Sequence, residues 1–306
     1  MPAIVVIANP AAGKGHCAEA VPRVRALMSS LQLDYSLFLT EGPMHAVELA
    51  RQASEEGAEI VAAMGGDGTV NEVLNGLMMA QANGGEASLA VLETGRGNDF
   101  GFGTGIPRDL EADCHLLKEG HKHSIDILRV AADDAAPRYV GNGIGIGFDT
   151  MVGFVAARHK YISGFPSYLI AALKTLYLYY TPPRVRITVD GESWEQRALM
   201  ISLMNGRRMG GGFLMAPTAA PDDGLIDACI VASDRRHRLL LLMGDFLKGS
   251  QVGKPQVKMR QAKKIVVEAL EGVLPAHADG ETLCVEGRRI ALEIIPKALN
   301  VLRLAP

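Results

Sequence analysis

Gly65-Gly66-Asp67-Gly68-Thr69-Val70-Asn71-Glu72 is the stretch on which the reading of this chain turns. The apolar run Glu59-Ile60-Val61-Ala62-Ala63-Met64 leads into it, and Val70, Val73, Leu74, Leu77 and Met78 follow at helical spacing. The glycines therefore fall at a strand-to-helix turn. Three glycines in four residues free the main chain to take positive φ and let a ligand approach the backbone closely. The turn ends at a helix N-terminus, where unpaired N–H groups and the dipole favour phosphate. Asp67 suits such an anion site if it works through a divalent cation. The octet reads as a nucleotide-phosphate loop whose acid handles magnesium; a tight turn with no ligand is the plainer alternative.

Upstream, Ala3-Ile4-Val5-Val6-Ile7-Ala8 reads as a buried parallel strand. It ends in the small-residue turn Asn9-Pro10-Ala11-Ala12-Gly13-Lys14-Gly15, either a second phosphate or ribose contact or a plain turn. The helix after it carries Val21, Val24, Leu27, Met28 and Leu31 on one face, and Pro22 predicts a late start or a kink. Ser36-Leu37-Phe38-Leu39 is the second strand, followed by Thr40-Glu41-Gly42-Pro43, with Pro43 in the first turn of the next helix. A fourth strand, Ser88 to Leu92, runs into Glu93-Thr94-Gly95-Arg96-Gly97-Asn98-Asp99-Phe100. Alternating strands and helices at this spacing predict a three-layer α/β/α domain with a parallel sheet. Ligands on such sheets bind beyond the carboxyl ends of the strands, where all four turns converge.

From about Ser124 the pattern becomes short strands with hairpin signals: Ile125 to Val130, Tyr139 to Phe148, and Arg184 to Val189 turning at Asp190-Gly191 into Ala198 to Leu203. Leu225 to Val231, Lys264 to Ala269 and a pair meeting at Glu286-Gly287 continue it. This predicts an antiparallel, β-rich sandwich domain with two helical insertions, Met151 to Tyr180 and Arg235 to Lys248. The expected division is a nucleotide-binding α/β domain over 1–124, rejoined by the strand-like end 297–306, and a β-rich substrate domain over 125–296.

The 306 residues are 48% hydrophobic and 21% charged, a globular composition, and the net charge of −3 gives no electrostatic case for nucleic acid. Cys17, Cys114, Cys229 and Cys284 lie far apart without Cys-x-x-Cys spacing, which fits a reducing cytoplasm and argues against a disulfide framework or zinc. The chain opens directly on a strand-like run, so no cleavable leader is expected, and no apolar stretch reaches the length of a spanning helix. A cytoplasmic protein is expected, at most resting on a membrane. His121 and His123 read as solvated rather than as metal ligands. Arg235-Arg236-His237-Arg238 either meets anionic headgroups or forms the polar start of a helix with Leu239, Leu242, Met243 and Phe246 inside. The Tyr161 to Tyr180 segment lines an acyl-chain groove, touches a bilayer surface or is ordinary core.

Taken in order, these residues resemble the diacylglycerol kinase catalytic family, which also holds sphingosine and other lipid kinases. The resemblance covers nearly the whole chain. Asn9-Pro10-Ala11-Ala12-Gly13 is similar to the family's first nucleotide loop, Thr40 to its second contact, and Gly65 to Glu72 to its signature. Gly97-Asn98-Asp99-Phe100 is similar to the end of its Pro-x-Gly-Thr-x-Asn-Asp-Phe loop. Gly145-Ile146-Gly147-Phe148-Asp149, Asp222-Asp223-Gly224-Leu225-Ile226-Asp227 and Asp279-Gly280-Glu281 are similar to motifs of its second domain. NAD kinases and phosphofructokinases carry a glycine-aspartate signature of the same kind, and the fold implied is theirs.

The resemblance implies an ATP- and Mg2+-dependent lipid kinase acting at a membrane surface, with diacylglycerol as the acceptor and a homodimer as one form. It implies nucleotide contacts at Asn9, Pro10, Ala11, Ala12, Gly13, Thr40, Gly66, Asp67, Gly68, Thr69, Val70, Asn71 and Glu72. Glu281, with Asp279 beside it, would take the proton from the acceptor hydroxyl. Two acids spaced i, i+2 point the same way in an extended chain and diverge in a turn around Gly280, where only one serves as base. Asp67 would face metal-bound phosphates with Asp126 as helper, and Asp223 with the carbonyls of Ala220 and Leu225 would hold a structural magnesium. Glu93 and Arg96 stand where the family has proline and threonine; Arg96 would either pair with a phosphate or bond to Asp99 or the loop. The rivals are a kinase of the NAD-kinase type acting on a soluble substrate, and a non-catalytic nucleotide or lipid binder.

Overall fold

The computed structural model describes residues 2–95, 97–157, 174–175 and 181–304. The chain forms two compact units, Met1–Ile127 with Pro296–Pro306, and Leu128–Ile295. In the first unit β1 (Ile4–Ala8), α1 (His16–Ser30), β2 (Tyr35–Leu39), α2 (His45–Glu55), β3 (Ile60–Gly65), α3 (Asp67–Ala80) and β4 (Ser88–Glu93) alternate. The sheet order is β4-β3-β1-β2, all parallel. Val301, in the strand that ends the chain, adds in parallel beside Leu89 of β4. All five residues of β1 are buried, because helices cover both faces of the strand, and its apolar run needs no alternation. Its side chains Ile4, Val6 and Ala8 pack with Cys17, Val24 and Met28 of α1, Ala62 and Met64 of β3 and Leu92 of β4.

Two local expectations yield to the structure. Helix α1 begins at His16 and continues through Pro22, so the proline neither delays nor ends it. Pro43 lies before α2 rather than in its first turn. Met44 takes φ +67 at the cap, and the Glu41 amide donates to His45 Nδ1 at 3.0 Å, so the helix starts at His45.

Two short helices, α4 (Asp99–Thr104) and α5 (Leu110–Glu119), lead to β5 (His121–Ala132). The second unit continues with β6 (Arg138–Val140), β7 (Gly143–Gly147), α6 (Phe148–Ala157), β8 (Arg184–Val189), β9 (Glu192–Met204), β10 (Ile226–Ala232) and α7 (Arg236–Lys248). It closes with β11 (Val257–Ala262), β12 (Lys264–Glu271), β13 (Leu274–Ala278), β14 (Glu281–Gly287) and β15 (Arg289–Arg303), whose last residues belong to the first unit. Of the expected insertion Met151 to Tyr180, α6 falls in the description and the Tyr161 to Tyr180 segment lies outside the described residues apart from 174–175. No helix among the described residues is long and apolar enough to cross a membrane.

Strand β9 joins the two layers of the sandwich. Its first half pairs with β8 across the turn at Asp190 and Gly191, both at positive φ as a two-residue hairpin requires. Its second half pairs with β7 on one side and β10 on the other. Burial follows: the first half alternates, while Ala198 to Met204 are all buried. Ala198, Ile201 and Leu203 enter the sandwich core with Ile144, Ile146, Val185, Ile187, Ile265 and Val267. Leu199, Met200 and Met204 face a second apolar cluster with Phe148, Phe213, Leu239, Leu242 and Phe246. One layer is thus sandwiched between a β core and a helical cover.

Asp126, expected as a metal helper, has a structural bond. Its carboxylate is fully buried and accepts the Lys297 N–H at 2.7 Å, where Lys297 takes φ +51 within the closing strand. One oxygen of this acid therefore anchors the return of the chain.

Beneath the carboxyl edge of the first sheet lies an acid pair. Glu93, at the end of β4, presents its amide to Asp113 Oδ2 of α5 at 2.9 Å, and its own Oε2 accepts from Asn98 Nδ2 at 2.9 Å. Glu93 Oε1 and Asp113 Oδ1 are buried without a hydrogen-bond partner among the described residues. Burial, then the neighbouring acid Asp113, pushes the Glu93 carboxyl up to about 7; burial does the same to Asp113, to about 7. Folding therefore favours protonated carboxyls that the unfolded chain releases near pH 4 to 5. The favourable contribution is complete below about pH 4 and is lost as pH rises through about 7. The melting temperature should fall across that window in the wild type and fall less in Glu93→Gln, measured by thermal scans in matched buffers. Parallel curves for the two proteins would contradict the assignment.

Candidate functional site

The octet forms the turn from β3 into α3. Gly66 caps the helix in an extended conformation, φ −107, and no side chain caps the first turn. None of the octet's glycines is used for a left-handed residue here; Gly65 lies in the strand and Gly68 in the helix. Close approach requires them instead. A Cβ on Gly65 would lie 2.4 Å from Thr69 Oγ1, and one on Gly95 would lie 2.4 Å from the Gly66 Cα. The loop after β4 therefore rests backbone against backbone on the loop after β3.

The first small-residue turn closes over the same helix start. Asn9 Nδ2 donates to Thr69 Oγ1 at 3.1 Å, the Asn9 amide donates to the Met64 carbonyl at 3.0 Å, and Asn9 Oδ1 accepts from the Ala11 amide at 3.1 Å. Pro10, Ala11 and Ala12 follow, and Gly13, Lys14 and Gly15 take φ +63, +61 and +96. At Gly13 a Cβ would also strike the Thr94 carbonyl at 2.7 Å, so only glycine fits. Thr40 sits at the end of β2, its amide on the Ala8 carbonyl at 2.9 Å. Four strand ends thus bring Asn9 to Gly13, Thr40, Gly66 to Thr69 and Gly95 to one edge. Arg96 lies outside the described residues.

Several expected contacts have other work. Asp67 Oδ1 accepts the amides of Asp99 and Phe100 at 2.7 and 3.1 Å, capping α4. Its other oxygen lies against Gly97, where a Cβ would come within 2.7 Å. Asp67 therefore braces the Gly97–Phe100 loop against the octet. Glu72 Oε2 accepts the Ala46 amide at 3.2 Å, at the start of α2, where an acid complements the helix N-terminus. Asn71 accepts from Asn75 Nδ2 within α3, and Val70 is buried. Val70 is thus part of the helix packing, while Asn71 and Glu72 are half-buried and bonded within and between α3 and α2.

In the second unit Asp279 and Gly280 make a two-residue hairpin turn, φ +46 and +88, and Glu281 opens β14. Because the chain turns at Gly280, the two acids diverge. Both oxygens of Asp279 are held by main-chain amides: Oδ1 by Asn142 and Gly143 at 3.0 and 2.9 Å, Oδ2 by Gly141 at 2.9 Å. Asn142 and Asn205, both buried, tie the same segment together through Asn142 Nδ2 to the Arg208 carbonyl and Asn205 Nδ2 to the Gly141 carbonyl. Glu281 stands exposed at the head of this knot. Asp279 is thus tied to the main chain of the neighbouring strand, and Glu281 is the exposed acid of the two.

Asp223 Oδ1 accepts the Leu225 amide at 2.9 Å, so the Ala220–Leu225 loop is folded about its own acid. Asp227, two residues beyond, stood in a quoted motif without a role. Its Oδ2 is buried without a hydrogen-bond partner among the described residues, and burial, then the charge of Asp223, pushes its carboxyl up to about 6. A buried acid opposed by a second acid suits a cation. No group of three or more His, Cys, Asp or Glu among the described residues could hold one. Carbonyls such as those of Ala220 and Leu225, and water, would complete the oxygen shell that magnesium prefers.

An apolar pocket lies behind α7, lined by Phe148, Met200, Phe213, Leu239, Leu242 and Phe246 among others, and one carboxylate, Asp149, shares its wall. Strand register sets a polar row there: His277 is opposite Gly145, Gly145 opposite Ser202, and Ser202 opposite Cys229. Asp149 lies over this row, and any Cβ on Gly145 would come within 2.1 Å of its Oδ2. His277 Nε2 is 3.7 Å from Asp149 Oδ2, too long for a hydrogen bond. Asp149 Oδ2, Ser202 Oγ and His277 Nδ1 are buried with no hydrogen-bond partner among the described residues. The sequence hint was faint: Asp149 stood in a quoted motif without a role, and only register brings in His277 and Ser202.

Comparison with known proteins fits this geometry. A diacylglycerol kinase catalytic domain model matches residues 3–130, and a YegS C-terminal NAD kinase beta sandwich-like domain model matches residues 142–303. A diacylglycerol kinase of Mycobacterium tuberculosis (strain ATCC 25618 / H37Rv) is 30% identical over 98% of this chain and 94% of its own. A protein of Stenotrophomonas maltophilia (strain K279a) named "Probable lipid kinase YegS-like" is 28% identical over 95% of this chain and 93% of its own. A solved structure from Bacillus anthracis str. Sterne superposes with TM-score 0.80 over 98% of this chain and 95% of that one; at 22% identity it speaks for the fold. The glycine turns, the divided α/β and β-sandwich architecture and these matches together make the chain a member of the diacylglycerol kinase catalytic-domain family of lipid kinases.

Proposed function

We propose that the protein transfers the γ-phosphate of ATP to a lipid hydroxyl, with diacylglycerol the acceptor that fits best. The observation that carries this reading is the pocket behind α7, whose walls are apolar except for Asp149 and the polar row beneath it. An amphiphile with acyl chains and a hydroxyl-bearing head matches such a pocket; a dinucleotide, polar along its length, does not. Membrane lipid as the acceptor makes the protein a cytoplasmic enzyme working at a bilayer surface.

Phosphoryl transfer asks a protein for alignment, charge stabilisation and a base, and little else. The uncapped first turn of α3 and the left-handed Gly13–Gly15 turn offer main-chain N–H groups toward phosphate oxygens, at an edge kept clear of side chains by Gly66 and Gly95. Magnesium, when bound, neutralises charge on the transferring phosphate. Glu281 accepts the hydroxyl proton, and Asp279 fixes the hairpin that presents it.

Replacing Glu281 by Gln should lower kcat by about 10²–10⁴-fold with an unchanged melting temperature, in a labelled-ATP assay on lipid vesicles. Asp279→Asn should instead lower stability on the order of 1–3 kcal/mol, because it disturbs three amide bonds at once. Unchanged turnover in Glu281→Gln would remove Glu281 as the base, and absence of turnover in the wild type would favour a non-catalytic binder. The same assay with NAD offered beside the vesicles separates the soluble-substrate rival, since label on NAD alone would overturn the lipid assignment. Mg2+ should raise the melting temperature of the wild type and raise it less in Asp223→Asn; equal shifts would remove the cation from that loop.

A further inference from the structure

Helix α7 has two apolar faces, and only one is accounted for. Leu239, Leu242, Met243 and Phe246 face inward and line the pocket. On the other side Leu240, Leu241 and Leu247 are 36%, 72% and 39% exposed, and Val252 just past the helix is 53% exposed. Gly244 lies on the same outward face, so the leucines stand clear of any larger neighbour there. Packing among the described residues does not call for leucines here; among those residues they are an unused apolar stripe.

Charge around the stripe runs against the rest of the molecule. The stretch 234–248 carries Arg235, Arg236, Arg238 and Lys248 against Asp234 and Asp245, in a chain whose net charge is −3. Arg236 and Arg238 lie in the first turn of α7, which has no acidic residue and no side-chain cap. Cations at the positive end of a helix dipole weaken the helix. The two acids nearby are engaged at the margins: Asp234 with Arg238 at 3.6 Å and Asp245 with Lys254 at 3.2 Å. A helix start that gathers positive charge at its own expense is complementary to an anionic surface.

We infer that α7 docks the protein on an anionic lipid bilayer, with Leu240, Leu241 and Leu247 entering the boundary between headgroups and acyl chains and the arginine run on the headgroups. Leucine beside arginine on one helix is the chemistry of interfacial binding. A second copy of the chain is a poorer occupant, because a two-fold contact through this face would set two copies of a net-positive stretch against each other. The inference deepens the lipid-kinase reading and rests on it for one point: the pocket behind the docked helix is where a lipid leaving the bilayer would go.

Binding and turnover are read separately. The full chain, without nucleotide, is sedimented with vesicles of phosphatidylcholine alone and of phosphatidylcholine containing about one third phosphatidylglycerol. The wild type should partition to the anionic vesicles and much less to the neutral ones. Leu240→Ser with Leu241→Ser should weaken partitioning on the order of tenfold. Arg235→Gln with Arg236→Gln should weaken it about fivefold per charge, and added salt should mimic the loss. Neither pair should lower the melting temperature, the arginine pair raising it slightly if anything, and both should phosphorylate detergent-dispersed lipid at the wild-type rate, since none of these side chains lines the pocket. Leucine variants that bind like the wild type would overturn the inference. So would leucine variants that change the oligomeric state while vesicle binding is retained. Anionic binding that depends on these residues, with no lipid phosphorylated in either format, would uphold the docking face while defeating the kinase reading.

Discussion

A contact between two pieces of bare backbone organises the first unit. Gly66 and Gly95 meet where β3 and β4 leave the sheet, with no space for a Cβ on Gly95. Parallel strands splay their following loops apart unless something small lets those loops touch. Here the touch keeps the first turn of α3 open and swings Asp67 toward the amides of Asp99 and Phe100. Glu93, two residues before this crossing, reaches Asn98, so an acid in the family's proline position takes part in holding the loop. Side chains around the edge serve to hold main chain, which is what recognition of a phosphate by N–H groups demands.

The second unit solves a different problem with one long strand. The inner half of β9 is buried on both sides: odd-numbered Ile201 and Leu203 fill the sandwich, and even-numbered Met200 and Met204 face the helical cover. Ser202 falls in the same register as the methionines, which sets a hydroxyl beneath an apolar pocket. Gly145, at the neighbouring position on β7, leaves room for Asp149 to lie over the strand. The result is an apolar cavity with a polar floor, built from the two-residue period of a strand and one missing side chain.

Much of this architecture was legible. Continuous apolar runs marked β1, β3 and β4 because strands covered on both faces need no alternation, and Asp190-Gly191 announced its hairpin through its φ requirements. Glu286-Gly287 does mark the passage from β14 to β15, whereas β14 finds its hairpin partner β13 across Asp279-Gly280, where an Asp takes positive φ. The octet's glycines were read for conformational freedom, whereas contact distance is what calls for them, and distance to Gly95 is invisible in a linear sequence. Glu72 and Asp126 illustrate the same limit: an acid in a motif bonds to whatever amide the fold delivers, here Ala46 and Lys297. His277 and Ser202 carried no signal at all, because only strand pairing brings them beside Asp149.

The account makes the first unit a cradle for phosphate and the second a receptacle for an amphiphile. Mass spectrometry of a total lipid extract, incubated with the protein and Mg-ATP, addresses that directly. A new species heavier by one phosphoryl group, on a lipid bearing a free hydroxyl and absent when ATP is omitted, is the predicted result. An extract returned unchanged by active, nucleotide-consuming protein would contradict it.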